Sequence, residues 1–340
     1  MTDQNGVDKA DRGTTDCGRD LAALFDRVAA APGRVSVIGS MNADYTVTTH
    51  RLPGPGETVT GGPLRLLPGG KSGNQASAAA RLGAKVRMFG AVGSDSNADF
   101  LLDSLADAGV DTSQVARMEG PSGTTVITVD ARGENTIVYS AGSNALVTPE
   151  YAAGAQAAMT QASVLGLCLE SPMDTVIACA RACHGAGLRV LLNDSPFVPE
   201  LPRELVEACD ILLVNEHEMA MLLGVEEPDD GNWDGADWDA LAGRMAGYGF
   251  DEAVVTLGAH GSVVMDHGRV ERVAPVRVDA VDTTGCGDAF MGSVLASLAA
   301  GLSLAEGARV GSLVSAYAAT GSGAQASYGT MAQVRARFGL

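Results

Sequence analysis

The chain has 340 residues, and its 41 acidic residues outnumber its 23 lysines and arginines, which gives a formal charge of −18. Binding to nucleic acid or to an anionic membrane surface requires clustered basic residues, which this sequence lacks, so we expect neither partner. A composition of 46% hydrophobic and 19% charged residues excludes a largely disordered chain.

The first 33 residues are predicted to form an extension that is disordered or only weakly helical, with one helical stretch over residues 21–30. This extension has no apolar segment of the kind found in secretory signals. Six cysteines are spread through a chain that is long enough to fold without disulfide bonds. We therefore expect reduced thiols and a cytoplasmic protein.

Apolar segments and glycine-rich turns alternate in the first half of the chain. The apolar residues 35–38 run into a Gly-Ser pair, which predicts a buried strand that ends in a turn. Residues 51–70 are rich in proline and glycine and predict short irregular strands, followed by a helix over residues 73–82. Alternating residues 124–129 and 135–139 predict a hairpin that pairs with the 51–70 strands.

The second half of the chain alternates apolar strands with helical stretches. Four strands are predicted, at residues 163–167, 188–192, 211–214 and 253–257. Consecutive buried strands joined by helices form a parallel sheet, so the sequence predicts an α/β fold. Residues 226–239 are acidic, contain both tryptophans of the chain, and are predicted to form a surface insertion.

A Gly-x-Gly turn opens directly into an uncharged helix in the string Asp282-Thr283-Thr284-Gly285-Cys286-Gly287-Asp288-Ala289-Phe290. The N–H groups at such a helix start favour the negative charge that develops on a phosphoryl group during transfer. A carboxylate beside donors for an anion is useful as a proton acceptor, so we interpret Asp288 as a general base. The alternative is that Asp288 only caps the helix.

This nine-residue string resembles the signature of the ribokinase-like (PfkB) sugar kinases, with Cys286 in place of the usual alanine. A second string, residues 69–76, resembles the sugar-binding loop of the same family, although Ser72 and Gly73 depart from the usual glycine and alanine. Further landmarks follow the family order over all of the chain except its N-terminal extension.

The resemblance implies a fold as well as an activity. It implies one kinase domain over residues 34–340, built as a three-layer αβα parallel sheet. A small β-sheet lid would be formed by about residues 42–68 and 121–141. The resemblance also implies a homodimer that pairs through this lid.

Three further strings are closer to the ribokinase branch of the family: Gly39-Ser40-Met41-Asn42-Ala43-Asp44, Pro55-Gly56-Glu57-Thr58-Val59 and Gly133-Glu134-Asn135. The resemblance implies a pocket whose polar groups pair with sugar hydroxyls, formed by Asn42, Asp44, Gly70, Lys71, Asn74, Glu170 and Asp288. Taken alone, Asn42 and Asp44 equally fit a turn after the first strand. The string Asn193-Asp194-Ser195-Pro196 departs from the usual N-P-A-P and bears on fine substrate preference.

The resemblance also implies a nucleotide site. Its residues are Asn215, Thr256, Gly258, Gly261, Gly287 and Ser312, and Glu218 of the N-x-x-E element would help to place Mg²⁺ through water. Mg²⁺ keeps several waters and takes oxygen ligands, which fits this indirect arrangement. Without the family, Asn215 and Glu218 form a capping-box variant at a helix start.

A monovalent cation site, with K⁺ as an activator, is a further implication of the resemblance. Its positions offer carbonyl oxygens and one carboxylate, and they are Asp282, Thr284, Ala318, Gly321, Gly323 and Ser327. An ion beside the Gly-x-Gly loop would hold the N–H groups of that loop in place.

The implied activity is transfer of the γ-phosphoryl group of ATP to O5 of D-ribose, with Mg²⁺ at the phosphates. Asp288 would accept the hydroxyl proton, and the N–H groups of Gly285, Cys286 and Gly287 would form the anion hole. One alternative is a kinase of the same fold for a nucleoside or another sugar, such as fructose or 2-keto-3-deoxygluconate. The other is a sugar-binding regulator without catalysis, against which the retained Asp288 argues.

Overall fold

The computed structural model describes residues 9–340, with side chains from Asp20 onward. Within this range the strands are β1 (Arg34–Ile38), β2 (Asn42–Thr48), β3 (Arg65–Gly69), β4 (Lys85–Val92), β5 (Asp111–Arg117), β6 (Gly123–Val129), β7 (Asn135–Ser140), β8 (Val164–Leu167), β9 (Arg189–Asn193), β10 (Ile211–Asn215), β11 (Glu252–Thr256), β12 (Ser262–Asp266) and β13 (Arg269–Val273). The α-helices are α1 (Lys9–Ala30), α2 (Lys71–Arg81), α3 (Ser96–Asp107), α4 (Pro149–Met159), α5 (Met173–Gly185), α6 (Arg203–Val206), α7 (Glu216–Leu223), α8 (Trp238–Tyr248), α9 (Cys286–Ala299), α10 (Leu304–Ala319), α11 (Ala324–Ser327) and α12 (Met331–Phe338).

Nine strands form one large sheet, in the order β13-β12-β11-β10-β9-β8-β1-β4-β5. Every neighbouring pair from β5 to β11 is parallel, whereas β12 and β13 pair antiparallel at one edge. The predicted α/β fold is confirmed, and the sheet is mixed rather than wholly parallel. Short turns join β11, β12 and β13. Such turns can connect only antiparallel neighbours, because a parallel pair needs a long crossover.

The four strands predicted in the second half of the chain coincide with β8, β9, β10 and β11 to within one residue at each end. Successive side chains of these strands point to opposite faces of the sheet. Leu213 of β10 belongs to a core that packs against α2, α9 and α10, and Leu212 belongs to a core that packs against α5, α7 and α8. Helices therefore cover both faces of the sheet.

Four strands form a second, smaller sheet, in the order β3-β2-β6-β7. The predicted hairpin is confirmed as the antiparallel pair β6 and β7. It pairs with β2, however, and not with the 51–70 segment as predicted, because β2 lies between β3 and β6. Within residues 51–70, proline and glycine limit regular pairing to β3 and to one bridge between Thr49 and Gly61.

The N-terminal extension differs from its prediction within the described range. Helix α1 runs from Lys9 to Ala30 and is longer than the weak helix predicted over residues 21–30. Leu24, Phe25 and Val28 are buried in the core beside α10, because their spacing places them on one face of the helix. The rest of the predicted extension, residues 1–8, lies outside the described residues.

The acidic segment at 226–239 is only partly the surface insertion that we predicted. Trp233 and Trp238 are 5% and 7% exposed, and their ring centroids lie 6.0 Å apart. The indole N–H of Trp238 donates to the carbonyl oxygen of Trp233 (3.1 Å). The acidic residues around them face the solvent, so the tryptophans anchor this segment in the core.

From residue 9 to the end of the chain, the structure contains no helix with both the length and the apolar character that a bilayer crossing requires.

Candidate active site

The site begins where α9 starts, at the predicted Gly-x-Gly turn. Gly285 is the N-cap residue and has a φ of 76°, in the left-handed region that glycine adopts readily. A Cβ atom at Gly285 would lie 2.6 Å from both Ala324 and the hydroxyl of Tyr328. That hydroxyl donates to the Gly285 carbonyl (2.8 Å) and fixes the turn from the opposite side. The helix therefore begins within one residue of the predicted position.

Of the N–H groups at the start of α9, one already has a hydrogen-bond acceptor among the described residues and three do not. The Cys286 N–H donates to the carbonyl of Thr283 (3.2 Å), so it already has an acceptor. The N–H groups of Gly285, Gly287 and Asp288 have no acceptor among residues 9–340. The geometry therefore favours an anion hole of Gly285, Gly287 and Asp288, in which the predicted contribution of Cys286 is the weakest.

Asp288 does not cap the helix, because its carboxylate bonds to a different element. Asn74 Nδ2 donates to one carboxylate oxygen (2.9 Å) and Gln75 Nε2 donates to the other (3.0 Å). Both donors lie on α2, which packs along α9. Asp288 is 8% exposed and lies in the first turn of a helix whose N-cap is Gly285. The capping alternative for Asp288 is therefore excluded.

Burial raises the pKa of Asp288 to about 6. The ammonium group of Lys71 and the amide donors of Asn74 and Gln75 oppose this shift, since each favours the charged carboxylate. A carboxylate with a pKa near 6 is ionised at neutral pH and has a higher proton affinity than an ordinary aspartate. Both properties suit a general base.

A second amide fixes the first in place. Gln325 Nε2 donates to Asn74 Oδ1 (3.0 Å), which leaves Asn74 Nδ2 to face Asp288. Sequence reasoning missed both Gln75 and Gln325. Gln75 lies inside the string that resembles the sugar-binding loop, so a signal for it existed. Gln325 lies far along the chain from its partner, and no local pattern indicates the contact.

The predicted sugar residues converge around the start of α2. Gly70 packs against the backbone of residues 40–42, which brings Asn42 next to it. The Lys71 N–H donates to the Glu170 carboxylate (3.1 Å), which also accepts a hydrogen bond from Ser40 Oγ. Three separate elements of the chain thus meet at one polar cluster. Ser40 was not predicted to belong to it.

Two charged side chains of this cluster are strongly affected by their surroundings. Burial, reinforced by Glu170 and Asp288, raises the pKa of Asp44 to about 6. One oxygen of Asp44 is buried without a partner among the described residues. Burial alone would lower the pKa of Lys71, but Asp288 and Glu170 raise it above its ordinary value, so Lys71 carries a positive charge between them. Asp44 is therefore a buried acceptor, and Lys71 offsets the negative charge beside it.

Asn215 and Glu218 form a complete capping box at the start of α7. The Asn215 side chain accepts from the Glu218 N–H, and the Glu218 carboxylate accepts from the Asn215 N–H, both at 2.8 Å. Burial raises the pKa of Glu218, and Lys71 opposes this shift. The other oxygen of Glu218 forms no hydrogen bond within residues 9–340. The local capping role is therefore present, and it leaves one carboxylate oxygen of Glu218 available to a ligand.

The predicted nucleotide residues lie at the ends of two neighbouring strands, in the turn after β11, and on helices α9 and α10. Asn215 and Thr256 lie side by side, because β10 and β11 are parallel and these residues are partners in the register. Gly258 and Gly261 form the short turn after β11. Ser312 lies on α10, and its hydroxyl donates to the Ala308 carbonyl of the same helix (3.0 Å).

A residue one turn further along α10 contacts the start of α9. Ser315 Oγ donates to the Cys286 carbonyl (2.9 Å), although sequence reasoning did not identify Ser315. Helix α10 therefore supports the turn that contains Gly287, a residue with open space around its Cα.

The predicted cation residues form two neighbouring groups, one around Asp282 and one around Gly321. Asp282 accepts from the N–H groups of Thr284 (2.9 Å) and Gly323 (2.8 Å). These donors outweigh burial and lower the pKa of Asp282, so it is a carboxylate. The remaining positions meet around Gly321, whose N–H donates to the Ala318 carbonyl (3.0 Å) and whose Cα lies against Ser327. The predicted positions are thus linked by hydrogen bonds and close contacts, and K⁺ binding among them stays a prediction.

The fold and the arrangement of polar groups around the start of α9 are typical of a phosphotransferase. The chain belongs to the pfkB family of carbohydrate kinases, whose family model matches residues 33–331.

Named relatives agree with this class. The ribokinase of Haemophilus influenzae is 34% identical over 297 residues, which cover 87% of this chain and 95% of that protein. A deoxyribokinase of Salmonella typhi is 32% identical over 300 residues, or 88% of this chain and 96% of that protein. The structure of Arabidopsis thaliana ribokinase complexed with ribose and ATP is similar, with a TM-score of 0.79 at 26% identity, over 91% of this chain and 99% of that one. This protein is therefore a sugar phosphotransferase.

Proposed function

We propose that this protein transfers the γ-phosphoryl group of ATP to O5 of D-ribose and releases ADP and D-ribose 5-phosphate. The observation that carries the proposal is the buried Asp288 carboxylate, which two amides hold beside the N–H groups at the start of α9. The polar cluster of Asn42, Asp44 and Glu170 supplies the partners that a sugar needs. Relatives named ribokinase, 30–34% identical to this chain, support the choice of ribose.

Asp288 acts as the general base in this proposal. Its carboxylate takes the proton of the attacking hydroxyl as the new O–P bond forms and the bond to ADP breaks. The N–H groups of Gly285, Gly287 and Asp288 stabilise the negative charge on the phosphoryl oxygens. The buried amides of Asn74 and Gln75 hold the carboxylate in one orientation, which keeps it aligned for the proton transfer.

The nucleotide end of the site is proposed to consist of Asn215, Thr256, the turn at Gly258 and Gly261, and Ser312. Glu218 would offer a carboxylate oxygen to the waters of a bound Mg²⁺. The ion would supply positive charge against the nucleotide phosphates.

We further propose that K⁺ binds beside the Gly-x-Gly turn, at Asp282 and the neighbouring carbonyl oxygens. Asp282 accepts the N–H groups of Thr284 and Gly323 and so links two loops near the anion hole. Replacing Na⁺ by K⁺ at constant ionic strength should raise kcat. Equal activity across a K⁺ titration would remove this site from the proposal.

The small sheet is proposed to close over the sugar as a lid and to pair with a second copy of itself. Four apolar side chains of this sheet and its adjoining segment are at least half exposed: Leu64, Val126, Ile137 and Val138. Val126 and Val138 are partners in the β6–β7 register and therefore lie on the same face of the sheet, and exposed apolar residues on one face are typical of an interaction surface. A cytoplasmic location stays a prediction, supported by the five unpaired cysteines within the described range.

The proposal is tested by ADP release from ATP in Mg²⁺ and K⁺ buffer. The acceptors are D-ribose, 2-deoxyribose, fructose, 2-keto-3-deoxygluconate and adenosine. D-Ribose should have the highest kcat/KM by a wide margin. The named deoxyribokinase relative makes 2-deoxyribose the second candidate. If adenosine or a hexose has the highest kcat/KM, the pocket assignment is wrong while the assignment of Asp288 stands.

A further inference from the structure

A buried amide that plays no part in the proposed reaction contacts the sugar residue Asn42. Asn144 lies in the short 3-10 helix Gly142–Leu146 and is 0% exposed. Its Nδ2 group donates to Asn42 Oδ1 at 2.8 Å, and its Oδ1 atom accepts the N–H of Met41 at 3.1 Å. The two amides therefore form a connected pair under the pocket.

The partners of this pair determine which way each amide faces. The two ends of an amide have the same shape, so only hydrogen-bond partners distinguish them. A backbone N–H can only donate, so Met41 fixes the Oδ1 end of Asn144. The opposite end is then a donor, which fixes Oδ1 of Asn42. Asn42 Nδ2 is the opposite end of the same amide and consequently points away from Asn144.

The space for the two amides depends on a glycine in a third element, strand β6. A Cβ atom at Gly123, the first residue of β6, would lie 2.1 Å from Asn144 Nδ2 and 2.4 Å from Asn42 Oδ1. Any larger residue would separate the two amides. The same Nδ2 group lies 3.4 Å from the hydroxyl of Tyr139 on the outer strand of the small sheet. The amide pair is therefore enclosed by β2, β6 and β7.

We propose that Asn144 is a positioning residue that sets the hydrogen-bond polarity of the sugar pocket. It holds the Asn42 amide so that a donor, Nδ2, faces the sugar near the acceptor Asp44. A sugar hydroxyl can accept from Asn42 through its oxygen and donate to Asp44 through its hydrogen. This inference rests on the proposed function, because it assumes that the sugar binds at Asn42.

The test is Asn144→Asp, which keeps an oxygen for the Met41 N–H and removes the donor to Asn42. The new oxygen opposes Asn42 Oδ1, so the Asn42 amide turns and presents an acceptor to the sugar. We expect the KM for D-ribose, and its Kd from calorimetry with a non-hydrolysable ATP analogue, to rise about tenfold. The kcat should change less, because Asp288 and its donors are untouched.

A double-mutant cycle distinguishes positioning from a general structural role. In the Asn42→Ala background, Asn144→Asp should weaken ribose binding less than about twofold further, because its effect acts through Asn42. Ser143→Ala is the matched control. It removes a buried hydrogen bond to the Ala91 carbonyl (2.9 Å) in the same short helix. It should lower the melting temperature without changing the KM for ribose.

Each outcome has a defined meaning. If Asn42→Ala weakens ribose binding and Asn144→Asp does not, or if their effects simply add, the inference is wrong and the proposed function stands. If Asn42→Ala leaves ribose binding unchanged, the assignment of the pocket is wrong. If the Asn144→Asp protein does not fold, Asn144→Ala removes the donor without adding charge, and the same cycle applies to it.

Discussion

The proposed sugar end and the proposed nucleotide end of the site are constructed in different ways. At the sugar end, buried side chains from distant segments bond to one another, as in the chain from Gln325 to Asn74 to Asp288. At the nucleotide end, the predicted side chains bond within their own elements. Ser312 bonds to Ala308 of its helix, and Asn215 bonds to Glu218.

This difference indicates where selectivity resides. Buried side chains that hold one another in place reject a substrate that leaves any of them unpaired, because an unpaired buried group costs about 1–3 kcal/mol. Strand ends and turns that are satisfied locally can instead accept a ligand through shape and backbone groups. We therefore expect substitutions at the sugar end to have the larger effects.

The largest expected effect comes from the base. Asp288→Asn should lower kcat by about 10² to 10⁴, because an amide cannot accept the hydroxyl proton. Sugar binding should persist, which calorimetry with D-ribose can check beside the ADP-release assay. Asp237→Asn, which keeps its hydrogen bond at the N-cap of α8, is the control and should have normal activity. Near-normal turnover of Asp288→Asn would contradict the assignment.

The next effect tests the nucleotide end. Glu218→Gln should raise the Mg²⁺ concentration needed for half-maximal activity about tenfold, since the charge is lost. The capping box survives, because glutamine at this position also accepts from the backbone. Glu306→Gln makes the same change in the capping box of α10 and should leave the Mg²⁺ requirement unchanged. Equal Mg²⁺ curves for both variants would limit Glu218 to a capping role.

The pH dependence of kcat/KM tests the ionisation of Asp288, the carboxylate proposed as the base. The base must be ionised, and burial raises the pKa of Asp288 to about 6, so kcat/KM should fall as the pH drops through 6. Gln75→Met removes a donor to this carboxylate, which destabilises the charged form. The acid limb of the pH profile should then move upward by about one pH unit.

Ser77→Ala is a matched control on the same helix for this profile. Its buried hydroxyl has no partner among the described residues, so the pH profile should be unchanged. An unshifted acid limb in Gln75→Met would mean that a group other than Asp288 determines it.

The smallest expected effect is at Ser312. Its hydroxyl is bonded to the Ala308 carbonyl, so Ser312→Ala should change the KM for ATP by less than about twofold. Initial rates over a range of ATP concentrations provide the measurement. A tenfold rise in this KM would show that the hydroxyl turns towards the nucleotide, and the comparison between the two ends would then need revision.

Much of the fold was predictable from local sequence patterns. The apolar runs of β8 to β11, the β6–β7 hairpin and the start of α9 were all found within one or two residues, because periodicity and turn residues act over short distances. The sequence did not predict the antiparallel edge strands β12 and β13, because the apolar pattern of a strand does not reveal the direction in which it pairs. The helix predicted over residues 21–30 is shorter than the observed α1. The stability of α1 depends on its packing against the core, which its own sequence indicates only weakly.

The candidate site divides in the same way. The sequence by itself determined Asp288 and its Gly-x-Gly turn, because a glycine-rich helix start is a local feature with a direct chemical meaning. Only the tertiary structure decided that Asp288 bonds to α2, that Gln325 orients Asn74 and that Asn144 orients Asn42. These amides come from segments far apart in the chain, and hydrogen bonds between such segments exist only after the sheet and its helices have packed.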